Sequence, residues 1–194
     1  MMNTEPTTRS PRILISRLSA VGDCILTTPV LCALREHFPQ AFIAWAAESG
    51  AASLLKGHRC LDELIVLKRG WLKSPRAIWN LRRTLRSFRF DIAIDPQSLT
   101  KSALVARLSG AARRIGFASP HGRELSVWLN NELVTKTRDH VVDHQLELLR
   151  PLGIETPTVR FDLPTNSAAR PIIDAFLRGP RFATGLAVIN PGAG

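Results

Sequence analysis

The chain has 194 residues, 45% of them apolar, and a formal charge of +10 with 26 basic against 16 acidic side chains. That is one large domain's worth of chain with material for a substantial core, and no apolar run reaches the roughly 18 residues a spanning helix needs. The polar opening MMNTEPTTRS lacks the apolar core of a secretory signal, and three scattered cysteines, Cys24, Cys32 and Cys60, argue for a reducing cytoplasm and against both a disulfide scaffold and structural zinc.

Residues 1–10 read as a loose leader. Ile13-Leu14-Ile15 then predicts a strand covered on both faces, because the run is short, β-branched and does not alternate with polar residues. It enters the turn Ser19-Ala20-Val21-Gly22-Asp23 and a helix ending near Phe38-Pro39. Asp23 falls outside the carboxyl end of the strand, where open α/β sheets bind ligands. Pro29, six residues further on, removes a helical hydrogen bond, so a kink or a late helix start is expected.

A second strand is predicted over residues 41–46, a ligand-edge loop at Glu48-Ser49-Gly50, a short helix over 51–56 and a third strand over 64–67. Residues 68–90 then carry eight cationic side chains and no acid, in a chain with 21 arginines and five lysines. Ser74-Pro75 is a helix start, serine as cap and proline at the first helical position. Ile78, Leu81, Leu85 and Phe88 recur at helical spacing behind it, flanked by arginines.

Residues 91–95 read as the fourth strand and Pro96-Gln97-Ser98-Leu99-Thr100 as its ligand-edge loop. A helix over 101–108, capped by Thr100 or a neighbour, leads to a fifth strand over 113–117, with Gly116 where backbone or ligand approaches closely. Residues 118–130 are a long loop or irregular helix, 132–134 a short strand, and 140–149 a helix ended by Pro151 and Gly153. Residues 161–165 read as extended, 168–177 as helical and 185–190 as a last strand running into Pro191-Gly192-Ala193-Gly194. Repeated strand and helix units make this an α/β chain with a Rossmann-like parallel sheet flanked by helices. A strand entering a Pro-Gly turn ordinarily leads to a helix that can hold an anion. The ending therefore reads either as a closing edge strand or as the first strand of a second α/β domain.

No GxGxxG follows the first strand and no GxxxxGK[ST] occurs, so a dinucleotide or nucleoside triphosphate is disfavoured here. HExxH, nucleophile-elbow and DxD-like patterns are absent too, which leaves metal-assisted chemistry little support. Asp23 has two readings. It is a general base, or it is a first-turn cap, whose place at the positive end of the helix dipole weakens it as a proton acceptor. Ser19 is a site residue or a turn residue. Arg17, at the end of a buried strand, must face solvent or an anion. Gln97 and Ser98 offer hydrogen bonds to sugar hydroxyls, and Lys101 either meets an anionic acceptor or is solvated. His140 and His144, four apart beside Asp143, share a helix face but lack a further ligand. Trp71, Trp79, Phe88 and Phe90 interleave with the basic segment, yet no nucleic-acid module fits. Acidic lipid, phosphorylated glycolipid or plain solvent suits that segment instead.

Five stretches together resemble the lipopolysaccharide heptosyltransferases, glycosyltransferase family 9. They are ILISRLSAVGDCILTTPVLCALREHFP, with Gly22-Asp23 and Thr28-Pro29; the Trp45 strand and its loop at Glu48; DIAIDPQSLTKSALVARLSGAARRIGF, with an Asp-x-Gln-x-x-x-Lys-Ser pattern; HVVDHQLELLRPLG; and INPGAG. The resemblance implies the amino-terminal half of a GT-B fold. Residues 11–180 would be the acceptor-binding domain, and 181–194 a linker and first strand of a truncated nucleotide-sugar domain, without the Lys-x-Trp segment that normally follows Pro-Gly-Ala. It implies inverting transfer of heptose from ADP-L-glycero-D-manno-heptose to the Kdo or Kdo-heptose inner core, without a cofactor or an essential metal. Asp23 would be the base, with Arg17, Ser19, Gly22, Gln97, Ser98 and Lys101 on the acceptor side and Pro191, Gly192 and Ala193 a partial donor side. The Trp45 strand and the DPQSLTKSA loop lean toward the Kdo acceptor. The expected partner is a lipid A-Kdo glycolipid, reached from the cytoplasm at the inner-membrane surface through residues 68–89, with no nucleic acid and no signal for oligomeric state. The 194-residue form is expected to be inactive alone. The alternatives are another sugar-nucleotide-dependent GT-B transferase, or a non-catalytic module for glycolipid or acidic surfaces.

Overall fold

Six short strands lie parallel in one sheet in the computed structural model, which describes residues 9–165 and 168–178. They are β1 (Arg12–Ser16), β2 (Phe42–Glu48), β3 (Glu63–Leu67), β4 (Ile92–Asp95), β5 (Arg113–Phe117) and β6 (Glu132–Val134), in the order β3-β2-β1-β4-β5-β6. β1 is central, Ile13 pairing with Ile43 on one side and Ile92 on the other. This is the Rossmann-like sheet expected from the repeated strand and helix units.

Alternation along the strands divides the core between two layers. Ile13, Ile15, Ile43, Trp45, Ile94 and Ile115 face a layer containing α1 (Val21–His37), α2 (Ser49–Leu55) and α6 (Val141–Leu146). Leu14, Ala44, Ala46 and Ala93 face α3 (Pro75–Ser87) and α4 (Thr100–Ser109). Both faces are covered, which is why the strands read as continuous apolar runs. Ser74 caps α3 as predicted, accepting a hydrogen bond from the Ala77 amide at 3.3 Å. Ile78, Leu81, Leu85 and Phe88 pack onto the second layer.

Three expectations change. α1 does not start late; it begins at Val21 and contains Pro29. The Ile25 carbonyl, whose helical donor proline removes, instead accepts from the Thr28 hydroxyl at 2.8 Å. The loop at Glu48-Ser49-Gly50 does not exist, because β2 runs through Glu48 and α2 starts at Ser49. The helix predicted over 140–149 is α6 followed by 3-10 turns over Glu147–Leu152, which contain Pro151 and end at Gly153 with φ 81°. Proline at 151 has no amide to give the Glu147 carbonyl, and the tighter turns follow.

The chain divides into two compact units, Met1–Pro164, which holds the sheet, and Thr165–Gly194. In the second, α7 (Arg170–Leu177) is the described helix. In the first, α5 (Ser126–Leu129) lies ahead of β6, in the segment read as irregular. The expected strand over 185–190 and Pro191, Gly192 and Ala193 lie outside the described residues. No described helix is long and apolar enough to cross a membrane.

Candidate active site

The sheet order reverses between β1 and β4, since β2 and β3 continue on one side and β5 and β6 on the other. A ligand crevice belongs there, outside the carboxyl ends of the strands. The segment after β1 carries Arg17, Ser19, Gly22 and Asp23, and the segment after β4 carries Gln97 and Ser98.

Arg17 joins the two segments. Its side chain is 10% exposed; Nη2 lies 2.6 Å from Asp23 Oδ2, and Nη1 donates to the Pro96 carbonyl at 3.1 Å. Its backbone carbonyl accepts from Trp45 Nε1 at 3.0 Å and from the Cys24 thiol at 3.6 Å. Arg17 Nε is buried and has no hydrogen-bond partner among the described residues. The Leu18 amide donates to Gln97 Oε1 at 2.9 Å and the Leu18 carbonyl accepts from Glu48, so the loop is held from both neighbouring strands.

Asp23 is a first-turn residue that contacts the cap. Oδ2 accepts from the Ala20 amide at 3.4 Å, a capping contact across the first turn of α1, yet the side chain stays 47% exposed. Both anchoring contacts, from Arg17 Nη2 and from the Ala20 amide, fall on that one oxygen. Gly22, beside it, is exposed, and a Cβ there would meet nothing within 4 Å. Glycine is not required by packing at that position; it leaves the approach to Asp23 open. Ser19 is half-buried in the same turn, and Lys101 is exposed in the first turn of α4, at the same edge of the sheet.

One residue read as facing the ligand does not. Ser98 is fully buried at φ 48°; its hydroxyl donates to the Asp95 carbonyl at 2.9 Å and accepts from the Phe117 amide at 2.9 Å. It shapes the loop and offers a sugar nothing. Trp45 is likewise fully buried and spends its indole N–H on Arg17. Gln97 is half-buried, with Oε1 already engaged by Leu18.

Beneath the loop lies a buried polar group that local reasoning passed over. Asp95 ends β4 with no exposure, accepting from the Ser98 amide at 2.8 Å and from Asn130 Nδ2 at 3.0 Å. Burial pushes its carboxyl up to about 6, against the hydrogen bonds from Ser102, Asn130 and Ser98 and the charge of Arg17. Gly116 explains itself here: a Cβ would stand 2.2 Å from Asn130 Nδ2, so the close approach is by a side chain. His144 packs into the same region. Its ring meets Phe117 edge-on at 5.5 Å. His140, not His144, is the histidine that approaches Asp143, at 4.0 Å. Burial, then the charges of Lys136, His121 and Arg17, lower the His144 pKa. Arg17, His121 and Lys136 are thus near enough to act on His144, as is Glu147 with the opposite sign.

Among the described residues the one group able to hold a metal ion is Cys32, Cys60 and Asp162, with ligand atoms within 4.8 Å of one another. The two cysteines that read as scattered meet, although all three remain free thiols. Cys60 precedes β3, which puts this group at the amino edge of the sheet, away from Asp23. Burial and the neighbouring Cys60 push Cys32 up to about 12, and Asp162 is taken by Arg59 at 2.5 Å and Arg160 at 2.8 Å.

Residues 78–194 match the family described as glycosyltransferase family 9 (heptosyltransferase). Over 161 residues the chain is 28% identical to lipopolysaccharide heptosyltransferase 1 of Salmonella typhimurium, covering 78% of this chain and 51% of that protein. It is 24% identical to the lipopolysaccharide core heptosyltransferase OpsX of Haemophilus influenzae, covering 88% and 49%. Among solved structures it resembles E. coli heptosyltransferase WaaC with ADP-2-deoxy-2-fluoro heptose, at TM-score 0.67 and 28% identity over 77% of this chain and 50% of that one. E. coli ADP-heptose lps heptosyltransferase II shares the fold at TM-score 0.61 and 20% identity, over 87% and 50%. The chain spans about half the length of the curated relatives it matches.

Proposed function

The chain belongs to glycosyltransferase family 9, and from that premise we propose that it is the acceptor-binding part of an inverting heptosyltransferase. The donor is ADP-heptose, in keeping with the ligand of the WaaC structure, and the acceptor is the Kdo or Kdo-heptose inner core of lipopolysaccharide. Residues 181–194, with Pro191, Gly192 and Ala193, begin the nucleotide-sugar side, and no metal is assigned to the transfer. The protein works at the cytoplasmic face of the inner membrane.

The observation that carries this reading is the Arg17–Asp23 ion pair at the sheet's switch point, with the carboxylate half exposed. In the transfer an acceptor hydroxyl attacks the anomeric carbon as the bond from that carbon to ADP breaks, and Asp23 takes the hydroxyl proton. A base must lie within about 2.6–3.2 Å of the oxygen it serves. Arg17, clamped between Asp23 and Pro96, fixes the carboxylate's direction. Kdo is a sugar acid, and Arg17 and Lys136, whose charges both reach His144, supply cationic surroundings for its carboxylate, with Lys101 exposed at the same edge. Charge developing on the departing ADP is met from the nucleotide-sugar side.

The test is radiolabelled heptose transfer to Kdo-lipid A by the protein carrying both halves, wild type against Asp23→Ala. Loss of transfer with acceptor binding retained is expected. Unchanged turnover would remove Asp23 as the base, and transfer of another sugar in preference to heptose would remove the donor assignment.

A further inference from the structure

Residues 68–90 read as a basic stripe along the chain, but folding converts part of it into a cavity that the stripe does not complete by itself. Arg82 and Arg86, one turn apart on α3, meet Arg107 from the last turn of α4 and Arg114 from the start of β5. With Leu108, Gly110 and Ala111 they line about 310 Å³, and no carboxylate lines it with them. None of the four forms an ion pair among the described residues. The site is also held in place. Arg114 donates from Nε to the Leu129 carbonyl at 2.9 Å and from Nη1 to Ala111 at 2.8 Å, which leaves Nη2 for a ligand. Arg86 lies over Gly110, whose Cβ, if it had one, would stand 3.6 Å from the guanidinium carbon. Gly110 is the left-handed end of α4 at φ 79°.

Like charges at helical i, i+4 spacing are unfavourable, and here two more cations are added with only neutral carbonyls to meet them. Burial and the charge of Arg107 both lower the Arg114 pKa, the signature of a cation set without its counter-ion. An anion relieves all four at once, and guanidinium forks match phosphate oxygens in pairs. The occupant is indicated by Trp79. It is 58% exposed on α3, a turn before Arg82 and beside Arg83, whose guanidinium stands 5.6 Å from its ring. An exposed tryptophan among arginines on an amphipathic helix suits the headgroup level of a bilayer.

We propose that the Arg82, Arg86, Arg107 and Arg114 cavity binds the phosphomonoester headgroup of an anionic lipid, with Trp79 entering the bilayer surface beside it. Arg114 lies at the amino end of its strand and Asp23 beyond the carboxyl end of the sheet, so the two sites are separate. The inference stands or falls independently of heptose transfer.

The test is co-sedimentation of the 194-residue chain with phosphatidylcholine vesicles carrying phosphatidic acid, or phosphatidylglycerol at matched surface charge. Binding should favour phosphatidic acid and be competed by inorganic phosphate. Arg107→Ala should weaken it about tenfold, the loss of one charge-assisted hydrogen bond, whereas Arg69→Ala removes the same charge outside the cavity and should leave it within about twofold. Arg107→Lys, which keeps the charge and loses the fork, should fall between them. Both arginines are exposed, and matching thermal melts control for folding. Equal losses at Arg69 and Arg107, no loss in Arg107→Lys, or inorganic phosphate bound without vesicle recruitment would each overturn the proposal.

Discussion

The Arg17 guanidinium stands 2.6 Å from the Asp23 carboxylate and at the same time donates to the Pro96 carbonyl, 79 residues away in the chain. One buried side chain thereby ties the loops after β1 and β4 together and aims the carboxylate. In the complete transferase, Asp23→Asn is expected to lower kcat by about 10²–10⁴-fold, the range for a lost general base, with acceptor affinity little changed. Arg17→Lys keeps a cation but cannot span both partners, and should lower kcat by about tenfold or more with KM nearly constant. A rise in KM at constant kcat in Arg17→Lys would show that the residue binds acceptor rather than positioning the base.

Thr28 and Pro29 form a second coupled pair. Thr28→Val leaves the Ile25 carbonyl without its donor, at an expected cost of about 1–2 kcal/mol in denaturant unfolding. In a Pro29→Ala background the restored amide serves that carbonyl, so the same substitution should cost much less. Additive losses in the double-mutant cycle would show the two residues to be independent.

Asp95 makes a pH-dependent contribution of definite sign. Its folded pKa of about 6 lies above the ordinary 3.8, so the folded state holds the proton more tightly than the unfolded chain. The stability this supplies is complete below about pH 3.8 and is lost as pH rises through about 6. The shift corresponds to roughly 3 kcal/mol. Asp95→Asn has no such proton, and its stability relative to wild type should improve between pH 4 and 7. A difference that is flat with pH would contradict the assignment.

His58 acts in the opposite direction. It is buried, its Nδ1 accepts from the Cys60 amide at 3.2 Å, and its Nε2 therefore donates to the Phe161 carbonyl at 3.1 Å. Burial lowers its pKa below the ordinary 6.5 despite the Phe161 bond and the Asp162 charge. The neutral ring supports the fold fully above about pH 6.5, and that support is lost as the pH falls toward the lowered folded value. Wild type should lose more stability than His58→Gln between pH 7 and 5, and amide exchange at residues 159–163 should quicken in step. Equal acid sensitivity in the two proteins would remove His58 from this role.

The apolar runs at 13–15 and 64–67, the Ser74-Pro75 start and the 78, 81, 85, 88 spacing carried most of the fold, because strand and helix periods are local properties of the backbone. The glycine and aspartate of the first turn were visible for the same reason, as residues outside a strand end. Ser98 was misread because a hydroxyl in a loop looks the same whether it faces solvent or folds back onto Asp95. Cys32 with Cys60, Asp95 with Asn130, and Arg82 with Arg107 and Arg114 are pairs that no spacing announces. Arg82 reaches Arg107 because β4 returns beside β1 and brings α4 against α3; the other pairs meet through packing between elements far apart in the chain, which chain order alone does not contain. Sequence by itself determined the elements and placed Asp23 at a ligand edge. Only the tertiary structure decided what holds that carboxylate, since the Arg17 clamp spans a crossover of the sheet, and burial, which sets which polar groups are open, is a property of the assembled layers.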